Sequence, residues 1–178
     1  MALKYGFLVS TPYPAKKEKF INLGDDIQSQ AVMNLYNMMG ISPDQIIPID
    51  FNELVSYKGE YIVLPICYNL QTDYDLIPFS QKIIPVFIGL SLFETSKLTQ
   101  QVIEYLKKYE PIGCRDEQTF RMLSSVGISA YLAGCITQTF PLRKKSESQN
   151  KIFLVDVPDD MEKLIPQNIL RGGVRLSH

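Results

Sequence analysis

Short runs of β-branched and aromatic residues alternate along this chain with segments of helical periodicity, and no other feature constrains the fold as strongly. The runs fall at 5–9, 46–49, 61–66, 84–89, 111–114, 129–132 and 152–157. Such alternation marks βαβ units. Several runs are apolar at nearly every position, as strands covered on both faces must be, so the sheet is expected to be mostly parallel and doubly wound in the Rossmann-like manner. Between the strands, 25–39 sets Ile27, Ala31, Leu35 and Met38 at helical spacing, with Gly40 as a stop. Residues 96–109 repeat the pattern with Leu98, Val102, Ile103 and Leu106. In 116–125, Phe120 and Leu123 turn inward before Gly127 ends the helix.

A chain of 178 residues, 46% hydrophobic and 21% charged, suits one soluble domain with a sizeable core. That domain is expected over 1–166. Residues 167–178, with Gly172 and Gly173 and no apolar period, read as a tail or as the start of a missing second domain. The net charge is −1, and the basic run Arg143-Lys144-Lys145 is bracketed by Ser146, Glu147 and Ser148. It reads as a solvated loop, so no nucleic-acid partner is expected. The longest apolar stretch, 83–93, holds Pro85 and Gly89 and has about half the length needed to cross a bilayer. No signal peptide is expected either, because 1–10 reads as a first strand.

The cysteines are Cys67, Cys114 and Cys135, an odd number placed at the ends of apolar runs. This argues for reduced thiols in a cytoplasmic protein. There is no Cys-x-x-Cys pair, and the single histidine is His178, so neither a metal site nor a cofactor is expected. A cysteine nucleophile would need a histidine base, which only that terminal residue could supply.

Pro111-Ile112-Gly113-Cys114-Arg115-Asp116-Glu117-Gln118-Thr119 takes an apolar strand end directly into an arginine and then into two acids that can cap a helix. Ligands of parallel α/β sheets bind beyond the carboxyl ends of the strands. A guanidinium stationed there can clamp a carboxylate or phosphate bidentately. Alternatively, Arg115 only pairs with Asp116 or Glu117. A second turn, Asn22-Leu23-Gly24-Asp25-Asp26, follows the first strand and leads into the long helix. Its acids suit capping, and if it holds a ligand, sugar hydroxyls fit Asn22 and Asp25 better than a phosphate does. The two motifs follow the first and fifth strands, expected two positions apart in the sheet, or roughly 10 Å. The long polar stretch 67–80 is a further candidate ligand loop.

Taken with Gly127-Ile128, Gly134-Cys135-Ile136-Thr137-Gln138-Thr139-Phe140 and Val155-Asp156-Val157-Pro158, these motifs resemble the polysaccharide pyruvyl transferase family. The likeness runs from about residue 5 to about 166 and covers the first half of a typical member. It implies a two-domain, cytoplasmic enzyme similar to GT-B glycosyltransferases. Such an enzyme moves the enolpyruvyl unit of phosphoenolpyruvate onto a sugar of a cell-surface polysaccharide and closes it as a ketal.

On this resemblance Arg115 is the catalytic donor clamp, while Asn22, Gly24 and Asp25 line the cleft near the acceptor. Thr137 and Thr139 either bond a ligand through their hydroxyls or cap loop backbone. The family's histidine belongs to the second domain and cannot be equated with His178, so the general acid has no assignment and this chain alone is expected to be inactive. Its partners would be phosphoenolpyruvate and a saccharide, and a sheet edge left uncovered by a missing domain suggests a homo-oligomer. The rivals are a non-catalytic module holding a sugar or a partner, and an unrelated nucleotide-binding domain. The latter is disfavoured by the lack of a Gly-x-Gly-x-x-Gly or Walker sequence.

Overall fold

All six expected runs between residues 4 and 132 become strands of a single sheet in the computed structural model, which describes residues 3–9, 23–70, 77–142, 151–155 and 157–176. They are β1 (Lys4–Val9), β2 (Ile46–Asp50), β3 (Ile62–Ile66), β4 (Ile83–Leu90), β5 (Ile112–Cys114) and β6 (Ala130–Leu132). Every pairing is parallel, in the order β2-β1-β3-β4-β5-β6. The chain steps outward from β1 to β2, returns across β1 to β3, and then continues away. That reversal puts the topological switch point between β1 and β3.

Helix α1 (Leu23–Met38) joins β1 to β2, and α2 (Gln100–Lys107) and α3 (Glu117–Ser125) join β4 to β5 and β5 to β6; with the right-handed crossovers that parallel units adopt, α1 covers one face and α2 and α3 the other. Neighbouring residues of β4 report the two faces. The Phe87 ring lies 6.4 Å from that of Phe79, which meets Tyr105 of α2 at 5.9 Å, whereas Ile88 shares a cavity wall with Leu35 of α1. Ile84 and Val86, on the Ile88 side, are 43% and 44% exposed, so this stretch of the α1 face is only partly covered.

Helix α1 is rotated from the expected stripe. Ala31 is buried as expected and Leu35 half-buried, but Ile27 and Met38 are exposed, and Gln28, Ser29, Val32 and Tyr36 are buried beside Ala31. The cause lies in β1. Its pairing with β3 is confined to Lys4↔Ile62 and Tyr5↔Val63, so its later carbonyls need other donors. The Tyr36 hydroxyl donates to Gly6 O at 2.6 Å and the Ser29 hydroxyl to Leu8 O at 2.5 Å. These polar anchors, each worth about 1 kcal/mol net, fix the helix face that an apolar count alone does not reveal. Gly40 and Gly127 end their helices at φ +72° and +73°, a conformation that costs glycine little.

The stretch expected as a polar loop over 67–80 is core at both ends: Cys67, Tyr68, Leu70 and Phe79 are buried. Its middle, 71–76, lies outside the described residues.

The chain divides into two compact units, Met1–Phe140 and Pro141–His178. In the second, β7 (Phe153–Val155) pairs in parallel with β8 (Val174–Leu176) through α4 (Asp159–Glu162) and α5 (Gln167–Gly172). The run at 152–157 therefore belongs to this pair and not to the large sheet. Residues 167–176, read as a tail or as the start of a missing second domain, form α5 and β8. A three-residue strand is too short to show a period in sequence.

Candidate functional site

Arg115 is the first residue beyond β5, and its N–H donates to Leu90 O, in the last residue of β4, at 2.8 Å. This bond sets Arg115, half-buried, at the carboxyl edge of the sheet. Asp116 is the N-cap of α3. Its Oδ1 accepts the Thr119 N–H at 2.8 Å, and its Oδ2 accepts the hydroxyl of fully buried Ser91 at 2.7 Å. Thr119 Oγ1 accepts the Leu92 N–H at 2.8 Å, and Gln118 Nε2 donates to Phe93 O at 3.2 Å. The segments that follow β4 and β5 are thereby laced together, and the backbone carrying Arg115 is held on both sides.

These bonds bear on the two roles open to Arg115. Asp116 is occupied by Ser91 and Thr119. Burial raises its carboxyl pKa, but the Thr119 N–H, the Ser91 and Thr119 hydroxyls and the Arg115 charge together hold it below the ordinary carboxylate value. Glu117 pairs with Arg121 at 2.7 Å along α3. Among the described residues the ion pairs are Arg121–Glu117 and Arg175–Glu162, so neither neighbouring acid takes the Arg115 guanidinium.

Gly24 and Asp25 lie in the first turn of α1, exposed and half-buried respectively, and Asp25 O accepts the Ser29 hydroxyl at 3.0 Å. Asn22 lies outside the described residues. The spacing between the two motifs differs from expectation, because β1 and β5 stand three positions apart, with β3 and β4 between them. That separation is about 14 Å.

What bridges the gap is the segment after β6. Ala133 and Gly134 donate their N–H groups to Cys114 O at 2.8 and 3.2 Å. Gly134, at φ +78°, then turns the chain into the 3₁₀ turn Ile136–Thr139, which packs against α1. The segment thus returns from the far edge of the sheet across the ends of β5 and β4. Gly89 makes room for this crossing: a Cβ there would sit 3.3 Å from both Gly134 O and Cys67 Cβ. A cavity of about 220 Å³ opens beneath the segment, lined by Leu35, Ile88, Gly134, Cys135, Gln138 and Thr139.

The motifs converge on the end of β3. Cys67, the next residue, is fully buried, and its thiol is pushed up to about 12, chiefly by burial and then by the charge of Cys135. Arg115 and Asp25 also act on it, in opposite senses. Cys135 behaves differently. Burial raises its pKa, but the Thr137 hydroxyl and N–H, the Gln28 amide and Arg115 together bring it below the ordinary thiol value. Thr137 Oγ1 donates to Cys135 Sγ at 3.0 Å, and Gln28 Nε2 does so at 3.8 Å. Thr137 is therefore engaged with sulfur, while Thr139 bonds Ile136 O at 2.7 Å, as a loop cap does.

Two contributors escape the sequence, Gln28 and Ser91, while Cys135 is read there only as part of a motif. Gln28 breaks an apolar helix face, a signal that can be read as surface, and Ser91 looks like an ordinary strand end. Among the described residues no helix is long and apolar enough to cross a membrane, and no group of three or more His, Cys, Asp or Glu could hold a metal ion. Comparison with protein-family models, with curated proteins and with solved structures finds no match.

Proposed function

We propose that this chain takes part in the transfer of a pyruvyl group from phosphoenolpyruvate to a sugar of a polysaccharide, forming a ketal, as the first domain of a two-domain, GT-B-like enzyme. The observation that carries this reading is Arg115. Its guanidinium stands at the carboxyl edge of a parallel sheet, on a backbone locked from both sides, and neither adjacent acid pairs with it. Phosphoenolpyruvate presents a carboxylate and a phosphate, the two groups a planar guanidinium meets bidentately. At the switch point, the α1 start offers Gly24 and the carboxylate of Asp25, which suits a hydroxylated acceptor better than an anion.

The chemistry needs three things: a cation against the donor's anionic groups, an acid to protonate its methylene carbon, and a base for the attacking hydroxyl. Arg115 supplies the first. With one histidine in the whole chain, at position 178, a second reading also has support, in which the chain binds the donor or a sugar without turning it over. Calorimetric titration of phosphoenolpyruvate into the wild-type chain and into Arg115→Ala tests the donor assignment. Saturable binding that Arg115→Ala abolishes or sharply weakens is the expected result. Equal affinity in the two proteins would remove Arg115 from the donor site, and analysis of the mixture for pyruvylated sugar separates binding from turnover.

A further inference from the structure

Two of the three thiols lie beside the crossing segment, and neither is used in the reading above. Cys67 closes β3 and is fully buried, whereas Cys135 is half-buried at the wall of the cavity, one residue beyond Gly134. The Gly89 position ties the two places together, since a Cβ there would lie 3.3 Å from both Cys67 Cβ and Gly134 O. The sulfurs also feel each other electrostatically, for a charge on Cys135 opposes ionisation of Cys67. Cys135 is therefore the sulfur that ionises first. The groups facing it are Gln28 of α1, with Asp25 nearby on the same helix, Arg115 after β5, and Thr137 in its own turn. Thr137 and Gln28 donate to its sulfur, and Arg115 adds a positive charge. Together they create the electropositive, partly open surroundings in which thiolates react.

We propose that Cys135 is a redox modification site whose oxidised sulfur is captured by Cys67, forming a reversible disulfide that fastens the 133–140 segment to the end of β3. The oxidant is a hydroperoxide. The Cys135 thiolate attacks the terminal peroxide oxygen, the O–O bond breaks, and the departing alkoxide or hydroxide takes a proton and leaves as an alcohol or as water. Sulfur is thereby oxidised to a sulfenic acid and the peroxide is reduced. The Cys67 sulfur then attacks that of Cys135. The S–S bond forms, the S–O bond breaks, and the oxygen leaves as water with the Cys67 proton. Two thiols and one hydroperoxide group thus become a disulfide, an alcohol or water, and water. The order follows from exposure, because an oxidant in solution reaches Cys135 and not the fully buried Cys67.

The crossing segment is held to the sheet by Ala133 and Gly134 on Cys114 O, and Cys135 is the first residue past that anchor. Cys114 serves as an internal control. It is fully buried, its thiol donates to Ile112 O at 3.7 Å, and burial pushes its pKa up to about 11. Nothing in the proposal depends on the pyruvyl-transfer reading.

Trypsin separates the three cysteines, since cleavage after Lys58, Lys82, Lys108, Arg115, Arg121 and Arg143 leaves each on its own peptide. The reduced 178-residue chain is treated with a small excess of hydrogen peroxide. Remaining thiols are alkylated with iodoacetamide after denaturation, and the non-reduced digest is mapped by mass spectrometry. The expected product is the Cys67 peptide linked to the Cys135 peptide, with Cys114 alkylated and the link lost on adding dithiothreitol. In Cys67→Ala the linked species should vanish, and dimedone should trap Cys135 as its sulfenic acid. The wild-type map decides the matter even if that variant does not fold. A link through Cys114, or no link while Cys135 proceeds to sulfinic acid or stays reduced, would overturn the proposal.

Discussion

At Arg115, geometry matters as much as charge. If the guanidinium meets a carboxylate or phosphate through two parallel N–H bonds, Arg115→Ala should weaken phosphoenolpyruvate binding by roughly 2–3 kcal/mol, a factor of about 30 to 150. The melting temperature should barely move, because neither Asp116 nor Glu117 is ion-paired with this side chain. Arg115→Lys should restore only part of the affinity, since lysine keeps the charge and loses the planar fork; full restoration in calorimetry would argue for a simple point charge. Ser91→Ala probes the support beneath it. Removing the hydroxyl from Asp116 Oδ2 should cost about 1–2 kcal/mol at neutral pH by urea denaturation. The sign with pH is fixed. The folded Asp116 carboxyl is held below its unfolded value, so its contribution is present above the unfolded pKa of about 3.9 and disappears as pH falls through the folded value. The gap between wild type and Ser91→Ala should therefore narrow below about pH 4, and a gap that does not change with pH would assign the loss to packing.

Among the elements, the β4–β5 junction is the tightest. A Cβ on Gly113 would lie 2.8 Å from Phe87 O and 3.0 Å from Ile88 Cα, both backbone atoms that cannot rotate away. On Gly6 it would meet the tips of Ile62 and Leu64, at 2.9 and 3.0 Å, and these can adjust by changing rotamer. Gly113→Ala should therefore lower stability more than Gly6→Ala, with overpacking costs of about 1–3 kcal/mol setting the scale. The reverse order in denaturant midpoints would show that β5 shifts freely. Legibility differed between the elements for the same kind of reason. Six strands were readable because a parallel sheet buries both faces and leaves apolar runs such as Ile62–Ile66. The inner face of α1 was not, because it is fixed by Ser29 and Tyr36 bonding β1 carbonyls, which no apolar count records. For the site, the Arg115 motif announced its own place at a strand end. Strand order and the surroundings of Cys135 did not, since the latter join Gln28, Arg115 and Thr137 from three separate segments.

For the molecule as a whole, the distribution of buried side chains sets the hierarchy of stability. Every buried residue among those described, from Gly6 to Ile136, lies in the Met1–Phe140 unit, so that unit contains a core of its own. In the Pro141–His178 unit no described residue is fully buried, and Phe153, Val155 and Leu176, all in the parallel pair, are 55%, 55% and 48% exposed. A parallel pair normally depends on further strands and on cover over both faces, and two strands alone are marginal in water. A chain ending at Phe140 should then fold cooperatively, with an α/β circular dichroism spectrum and a urea midpoint close to that of the full sequence. A peptide of residues 141–178 should give a disordered spectrum, since a segment of that size without disulfide, metal or partner buries too little apolar surface to offset its chain entropy. Loss of cooperative unfolding in the 1–140 chain would show that the large sheet depends on the second unit for its core.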